Sequence, residues 1–196
     1  IAAGRVTEDV KIAVKTGADG VVVDGCQAGT GAAPVVASKN LGIPTLPALV
    51  QATRAIEDMG VKDEFSLIVS GGIRDGADVA KALALGADAV AIGTGANIAM
   101  GCISCQKCHE GVCPVGICTQ DPELREKLVD DAAQRVANYI TAMTNEAIII
   151  AKAAGKTKLS NLEREDIRSM TLEACAMTGI PLIGTNFTFT EPFGFF

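Results

Sequence analysis

Five of the seven cysteines fall within a short stretch, at positions 102, 105, 108, 113 and 118. Thiolates are soft ligands, so a loop that carries several of them favours zinc or an iron–sulfur cluster. The proline directly after Cys113 also occurs in ferredoxin-type loops, whereas the C-x2-C spacing is shared with four-cysteine zinc sites. Because the chain has no visible export signal, disulfides are the weaker alternative.

Two glycine-rich loops follow consecutive apolar runs, as Ser70-Gly71-Gly72 and as Gly93-Thr94-Gly95. A phosphate needs several inward-facing backbone N–H groups and room for close approach, and glycine provides both. In (β/α)8 barrels the phosphate site lies at the loops after strands 7 and 8. The two loops therefore predict a phosphate site, with simple tight turns between strand and helix as the alternative.

The first hundred residues alternate short apolar runs with helical patterns. Residues 21–23 form a run without polar alternation, which predicts a strand buried on both faces. Leu46 to Met59 is expected to form a helix stopped by Gly60, and residues 67–69 and 89–92 are expected to form further strands. Residues 1–3 are expected to end another strand. Such repeated βα units predict a parallel sheet.

The last third of the chain has a different pattern. Asp121-Pro122-Glu123 predicts the start of a long helix that runs to Gly155. Ser160 and Glu163 predict a capping box for a second helix, which Gly179 terminates. The tail from 185 to 196 holds most of the phenylalanines and has no assigned role.

Composition excludes several functional classes. The chain has 196 residues, 48% of them hydrophobic and 20% charged, which is typical of a globular protein. A net charge of −6 disfavours a sequence-independent nucleic-acid binder, which needs a basic face. No apolar run is long enough for a membrane span, and no signal peptide is visible, so we expect a cytoplasmic protein without membrane partners. The first residue is Ile1 rather than Met, which suggests a processed or partial chain.

The order of these motifs resembles the FMN-binding domain of glutamate synthase, especially the archaeal-type enzyme. The most specific part runs from Gly101 to Arg125 and includes Cys-Pro-Val-Gly and Thr-Gln-Asp-Pro-Glu-Leu-Arg. The resemblance implies a (β/α)8 barrel that carries FMN and an iron–sulfur cluster. It also implies reduction of 2-iminoglutarate, formed from 2-oxoglutarate and ammonia, to L-glutamate. The expected partners are a glutaminase domain or subunit and an electron donor, either ferredoxin or linked to NAD(P)H.

The resemblance also assigns site residues. It implies a [3Fe–4S] cluster held by Cys102, Cys108 and Cys113. A [4Fe–4S] cluster with Cys105 as its fourth ligand is the alternative. The expected FMN phosphate contacts are Ser70, Gly71, Gly72, Gly93 and Thr94. At the end of the strand over 21–23, Asp24, Gln27 and Thr30 are candidate substrate contacts, with turn capping as the alternative. In the bacterial-type enzymes the corresponding loop is similar to Gly-His-Asp, whereas this chain has Gly25-Cys26-Gln27.

The chain is short for a whole barrel, which typically has ~250 residues. We therefore expect the C-terminal half of the barrel (strands about 5 to 8) over residues 1–101, which requires the N-terminal half as a partner. The cluster loop is expected over 102–120, the C-terminal helices over 121–180 and the tail over 181–196. The alternatives are another FMN-dependent barrel oxidoreductase or isomerase, and an electron-transfer or scaffold iron–sulfur subunit.

Overall fold

Three parallel strands form the central sheet of the computed structural model, which describes residues 1–31 and 33–189. The strands are β1 (Gly20–Asp24), β2 (Ser66–Ser70) and β3 (Ala89–Ala91), in the spatial order β1-β2-β3. Val22 pairs with Ile68, and Val69 pairs with Val90. All three strands therefore end at the same edge of the sheet, and the predicted parallel arrangement is confirmed.

The start of the chain adds a fourth partner beside β1. Ala2 forms a parallel bridge with Asp24, the Ala3 N–H donates to the Asp24 carbonyl at 2.8 Å, and the Asp24 N–H donates to the Ile1 carbonyl at 2.8 Å. These two hydrogen bonds have the geometry of a parallel sheet, but they extend over a single residue pair, Ala2 and Asp24. Residues 1–3 thus behave as the end of a further strand, as the sequence predicts.

Helices alternate with the strands, and their bounds are as follows: α1 Val6–Lys15, α2 Val35–Asn40, α3 Thr45–Met59, α4 Gly76–Ala84, α5 Thr94–Ala99, α6 Pro122–Arg125, α7 Ala132–Ala153 and α8 Leu172–Thr178. The predicted helix over 46–59 is confirmed, and Gly60 ends it in a left-handed conformation with φ of 70°. The Asp75 side chain caps α4 by accepting from the Asp78 N–H at 2.9 Å. None of the helices within the described ranges is long and apolar enough to cross a membrane.

One face of the sheet is covered and the other is open. Val21, Val23 and Leu67 are buried in the core that the sheet forms with α1 and α3. Val22 points to the opposite face and is 41% exposed. The prediction that residues 21–23 are buried on both faces is therefore wrong for this chain, because its described helices pack on one side of the sheet.

The C-terminal region packs against the sheet domain through α7, which contacts α4 and α5. The predicted continuous helix from 121 to 155 is wrong, since α6 and α7 are separate. The chain unwinds over residues 126–131, where Asp131 becomes the residue that precedes α7. The Asp131 side chain does not cap α7; it pairs with Arg135 in the first turn of the helix at 2.8 Å.

The predicted capping box at Ser160 and Glu163 is also wrong. The box forms one turn later, between Glu163 and Asp166, and it starts a single 3-10 turn over Arg164–Asp166. The second helix is α8, which is short and ends at Gly179 as expected. Most of the phenylalanine-rich tail lies outside the described residues.

Candidate functional site

The loops that follow β1, β2 and β3 meet at the carboxyl edge of the sheet, and threonine side chains join them. The Thr30 and Thr94 hydroxyl oxygens lie 2.7 Å apart, which ties the loop after β1 to the loop after β3. Thr45, the first residue of α3, lies 2.8 Å from the Gly71 carbonyl oxygen through its hydroxyl. The predicted phosphate loops are thus both tied to elements that follow β1.

Gly71 and Gly72 adopt positive φ values of 110° and 74°, a region that other residues rarely enter. A Cβ on Gly71 would lie 2.8 Å from the Thr45 hydroxyl oxygen and 3.0 Å from the Ala28 nitrogen. Position 71 therefore requires glycine for two reasons: its φ is positive, and a Cβ there would come too close to Thr45 and Ala28. Ser70 precedes it as the last residue of β2, and its carbonyl accepts from the Gly25 N–H at 2.9 Å.

Gly93 is different, because neither conformation nor packing demands glycine there. Its φ is −102°, and a Cβ placed on it would meet no described protein atom within 4 Å. The backbone at this turn therefore faces open space. A group that approaches the backbone closely, such as a phosphate, fits such a position.

A cavity of about 430 Å³ opens beside the loop after β2. Gln27 and Thr45 line it on the side of α3, and Arg74, Asp78 and Lys81 line it on the side of α4. Gly93 and Thr94 are not among its lining residues.

The three candidate substrate contacts lie in different surroundings. Asp24 shares the open face of the sheet with Val22, since alternate strand residues point the same way. The Gln27 side-chain oxygen accepts from the Thr45 N–H at 3.0 Å and from its hydroxyl at 2.7 Å. Thr30 pairs with Thr94. Gln27 thus satisfies the start of α3, whereas the turn-capping alternative concerns Asp24 and Thr30.

Two site residues escaped the sequence analysis. Thr45 is buried and links Gln27 to the loop after β2. Tyr139 of α7 donates from its hydroxyl to the Arg74 carbonyl at 2.8 Å and also packs against Gly95. Burial raises the pKa of Tyr139, and the charges of Asp75, Asp78 and Glu146 raise it further, so the hydroxyl stays a donor. Its signal in the sequence was its rarity, because Tyr139 is the single tyrosine of the chain.

The cysteine loop lies directly beside these strand ends. A Cβ on Gly31 would lie 3.1 Å from the Cys108 sulfur, and Gly31 follows Thr30. The Cys102 N–H donates to the Asn97 carbonyl at 2.9 Å, which joins the loop to α5. All seven cysteines are free thiols, so the disulfide alternative is wrong for the described structure.

Backbone N–H groups donate hydrogen bonds to two of the predicted ligand sulfurs, those of Cys102 and Cys113. The Ser104 N–H donates to the Cys102 sulfur at 3.3 Å. Burial alone would raise the pKa of the Cys113 thiol, but hydrogen bonds from the backbone N–H groups of residues 115–118 lower it. Such donors stabilise the thiolate, which is the form that binds metal.

Two further thiols of the loop, Cys105 and Cys118, are not among the three predicted ligands. Burial raises the pKa of Cys118, and interactions with Cys108, Cys113 and Cys102 raise it further. Within residues 1–31 and 33–189, no three His, Cys, Asp or Glu side chains converge on a single metal ion. A cluster distributes its thiolates over several iron atoms and so does not need that convergence.

Comparisons with known proteins agree on the family. A family profile described as a conserved region in glutamate synthase matches residues 1–157. A glutamate synthase large subunit-like protein of Rhizobium meliloti (strain 1021) is 50% identical over 195 residues, which cover 91% of this chain and 44% of that protein. An archaeal glutamate synthase [NADPH] of Archaeoglobus fulgidus is 45% identical over 163 residues, which cover 82% of this chain and 32% of that protein.

Solved structures agree on the fold. A flavocytochrome b2 variant with sulfite bound has a TM-score of 0.57 at 24% identity, covering 84% of this chain and 33% of that one. The chain has an α/β fold similar to that of FMN-binding barrel flavoenzymes, and it spans less than half the length of the relatives it matches. With most of its length matched by the profile, the chain belongs to the family defined by the conserved region of glutamate synthase.

Proposed function

We propose that this chain forms the C-terminal half of the FMN-binding barrel of a glutamate synthase, with strands about 5 to 8 over residues 1–101. The parallel pairing of residues 1–3 with β1 supports a fourth strand at that edge. The open face that carries Val22 would become the barrel interior once the N-terminal half closes the sheet. The cluster loop over 102–120 and the helices over 121–180 would complete the unit.

The proposed reaction is the reduction of 2-iminoglutarate, formed from 2-oxoglutarate and ammonia, to L-glutamate. A glutaminase domain or subunit would supply the ammonia. The electron donor would be NADPH-linked, because the relative from Archaeoglobus fulgidus carries NADPH in its name; ferredoxin is the other donor class.

The flavin phosphate would bind to the backbone of Ser70, Gly71, Gly72, Gly93 and Thr94. The support is the open space at Gly93, where a ligand could approach the backbone closely at the end of β3. When bound, FMN supplies hydride-transfer chemistry. The Thr30–Thr94 pair and the bond from Tyr139 to Arg74 would hold the two loops in place.

The iron–sulfur ligands would be Cys102, Cys108 and Cys113. The donor set fits, because the sulfurs are reduced, come from one loop, and receive backbone N–H bonds at Cys102 and Cys113. Hydrogen bonds to sulfur are one of the ways in which a protein sets the potential of a cluster. A mononuclear zinc site is the weaker alternative, because no three metal-binding side chains of the described residues converge on a single ion, and iron analysis separates the two.

The substrate would bind above the end of β1. Asp24 and Thr30 would offer a carboxylate and a hydroxyl, and Gln27 would offer its amide nitrogen, because its oxygen already accepts from Thr45. This loop has Cys26 and Gln27 at the positions where the bacterial-type loop has His and Asp. Because this difference lies in the proposed substrate loop, the assay should include other 2-oxo acids as well as 2-oxoglutarate.

The observation that carries this proposal is the contact between the cysteine loop and the strand-end loops, at Cys108 and Gly31. The test uses the protein assembled with the rest of its barrel. Cys108→Ser is expected to abolish iron–sulfur absorbance and the oxidation of NADPH that depends on 2-oxoglutarate and ammonia, while FMN stays bound. Cys175→Ala, a buried thiol in α8, is the control and should keep both. Unchanged absorbance in Cys108→Ser would contradict the proposal, and iron without flavin would favour an electron-transfer subunit.

A further inference from the structure

Thr45, the first residue of α3, lies between the proposed substrate loop and the proposed flavin loop. Its side chain is buried, at 3% exposure. Its hydroxyl oxygen lies 2.7 Å from the Gln27 side-chain oxygen and 2.8 Å from the Gly71 carbonyl oxygen. A Cβ on either Gly25 or Gly71 would collide with this hydroxyl. Thr45 is therefore enclosed by both loops, and a change in its side chain reaches both.

The Gln27 amide has one fixed orientation. The Thr45 N–H lies 3.0 Å from its oxygen, and the Cys26 thiol donates to the same oxygen at 3.7 Å. A backbone N–H can donate only to the oxygen of an amide, because the amide nitrogen does not accept. All the hydrogen bonds that the Gln27 side chain forms with described residues go to this oxygen. The Gln27 nitrogen therefore keeps its two N–H donors for a ligand.

Gln27 presents these donors to the cavity of about 430 Å³ beside the loop after β2. Arg74, Lys81 and Asp78 line the same cavity. The Asp78 carboxylate pairs with both cations, at 3.2 Å with Arg74 and at 2.8 Å with Lys81. Two cations and one carboxylate leave one net positive charge beside the Gln27 donors. Such a lining favours a ligand with a carboxylate.

The Thr45 hydroxyl has a different task from the Thr45 N–H. A hydroxyl has one proton to donate, and the Gln27 oxygen already accepts from the Thr45 N–H and from Cys26. The proton is therefore available to the Gly71 carbonyl, which shares its peptide group with the Gly72 N–H. Donation to a carbonyl polarises its peptide group and strengthens the N–H as a donor. The hydroxyl thus acts on a proposed phosphate contact.

We propose that Thr45 is a positioning residue for both ligands of the site. Its N–H holds the Gln27 amide so that the Gln27 nitrogen donates to a carboxylate of the 2-oxo acid in the cavity. Its hydroxyl holds the peptide group between Gly71 and Gly72 for the flavin phosphate. This inference rests on the proposed function, which provides the two ligands.

The substrate half is tested by Gln27→Glu in the protein assembled with the rest of its barrel. One carboxylate oxygen can keep the bonds from Thr45, but the other brings a negative charge and no donor to the cavity. We expect the Kd of 2-oxoglutarate, measured by calorimetry, to rise at least about tenfold. The Kd of FMN should stay unchanged. Gln134→Glu adds the same charge on α7, where Gln134 bonds only to Asn138 among the described residues, and should change neither Kd.

The flavin half is tested by Thr45→Val and Thr45→Ser. Thr45→Val removes the hydroxyl and keeps the N–H, so the Kd of FMN should rise about fivefold while the Kd of 2-oxoglutarate changes less than about twofold. Thr45→Ser keeps the hydroxyl and removes the methyl group, and its Kd of FMN should stay near that of the wild type. Flavin fluorescence measures FMN binding. A purely structural role of the buried side chain predicts the opposite order, with Thr45→Ser the weaker binder.

The outcomes separate this inference from the proposed function. Unchanged 2-oxoglutarate affinity in Gln27→Glu would overturn the carboxylate contact. Weaker FMN binding in Thr45→Ser than in Thr45→Val would overturn the role of the hydroxyl. Both results leave the proposed function standing. A wild type that binds neither FMN nor 2-oxoglutarate would overturn the proposed function itself.

Discussion

The hydroxyl oxygens of Thr30 and Thr94 lie 2.7 Å apart, although the two residues follow different strands. Gly31, next to Thr30, lies against the Cys108 sulfur, and Thr94 follows Gly93, where the backbone faces open space. This hydrogen bond therefore connects the loop after β1 to the proposed flavin loop, and Gly31 places the same loop against the cysteine loop. This connection gives the site its first testable consequence.

Thr30→Val should weaken FMN binding although Thr30 is not a proposed phosphate contact. Loss of a hydrogen bond of this type costs about 1 kcal/mol, which corresponds to a roughly fivefold rise in the Kd for FMN. The measurement is flavin fluorescence during reconstitution of the assembled apoprotein. Thr16→Val is the control, because its hydroxyl donates to the Ala13 carbonyl at the exposed end of α1. Equal FMN affinity in Thr30→Val and the wild type would show that the pair does not position the loop.

Tyr139→Phe should loosen the loop after β2 from α7. The substitution removes the donor to the Arg74 carbonyl but keeps the ring that packs against Gly95. We expect the free energy of unfolding to fall by about 1 kcal/mol and FMN binding to weaken severalfold. Urea denaturation and flavin titration measure the two effects. A loss of stability with unchanged FMN affinity would restrict Tyr139 to a structural role.

Gly76→Ala should disrupt the packing of α4 against α7. A Cβ on Gly76 would collide with the Glu146 side chain and with the backbone at Met143 and Ala147. Overpacking of this kind costs about 1–3 kcal/mol, more than the better helix propensity of alanine returns. Urea denaturation measures the change. Gly4→Ala, where a Cβ meets nothing within 4 Å, should have little effect, and equal stability of the two variants would contradict the close packing.

Asp78→Asn should lower stability in a pH-dependent way. Burial alone would raise the pKa of Asp78, but hydrogen bonds and charges from Lys81 and Arg74 lower it below its ordinary value. A lowered carboxyl pKa stabilises the folded state above the ordinary pKa, and this contribution is lost as the pH falls. Because Arg74 is largely exposed, solvent screens that pair, and we expect a difference of about 0.5–1 kcal/mol at pH 7.

That difference between wild type and Asp78→Asn should shrink as the pH falls below about 4, where aspartates begin to protonate. Urea denaturation at a series of pH values measures it. Asp131→Asn is a useful comparison, because Asp131 is fully exposed and pairs with Arg135 at the surface. A stability difference for Asp78→Asn that stays constant down to pH 3 would contradict the electrostatic origin.

Local patterns in the sequence were sufficient for the parallel strands and for α3. A helix stop such as Gly60 and an apolar run such as residues 67–69 depend on near neighbours in the chain. The exposure of Val22 was not predictable in this way, because it depends on what covers the second face of the sheet. The break at residues 126–131 was missed because the apolar stripe of α7 continues in register through it.

In the candidate site, too, some features could be predicted from local sequence patterns and others could not. The cysteine loop and the glycine loops were recognisable from residue types and spacing alone. The bonds from Thr30 to Thr94 and from Tyr139 to Arg74 join residues 64 and 65 positions apart, and no short-range pattern indicates such pairs.

The most direct test of the account is the FMN, iron and sulfide content of the assembled protein, purified without oxygen, together with its visible spectrum. The account predicts about one FMN and three or four irons per chain, and a spectrum in which flavin and iron–sulfur bands are both present. Flavin without iron, or iron without flavin, would contradict the claim that the cysteine loop and the strand-end loops form one redox site.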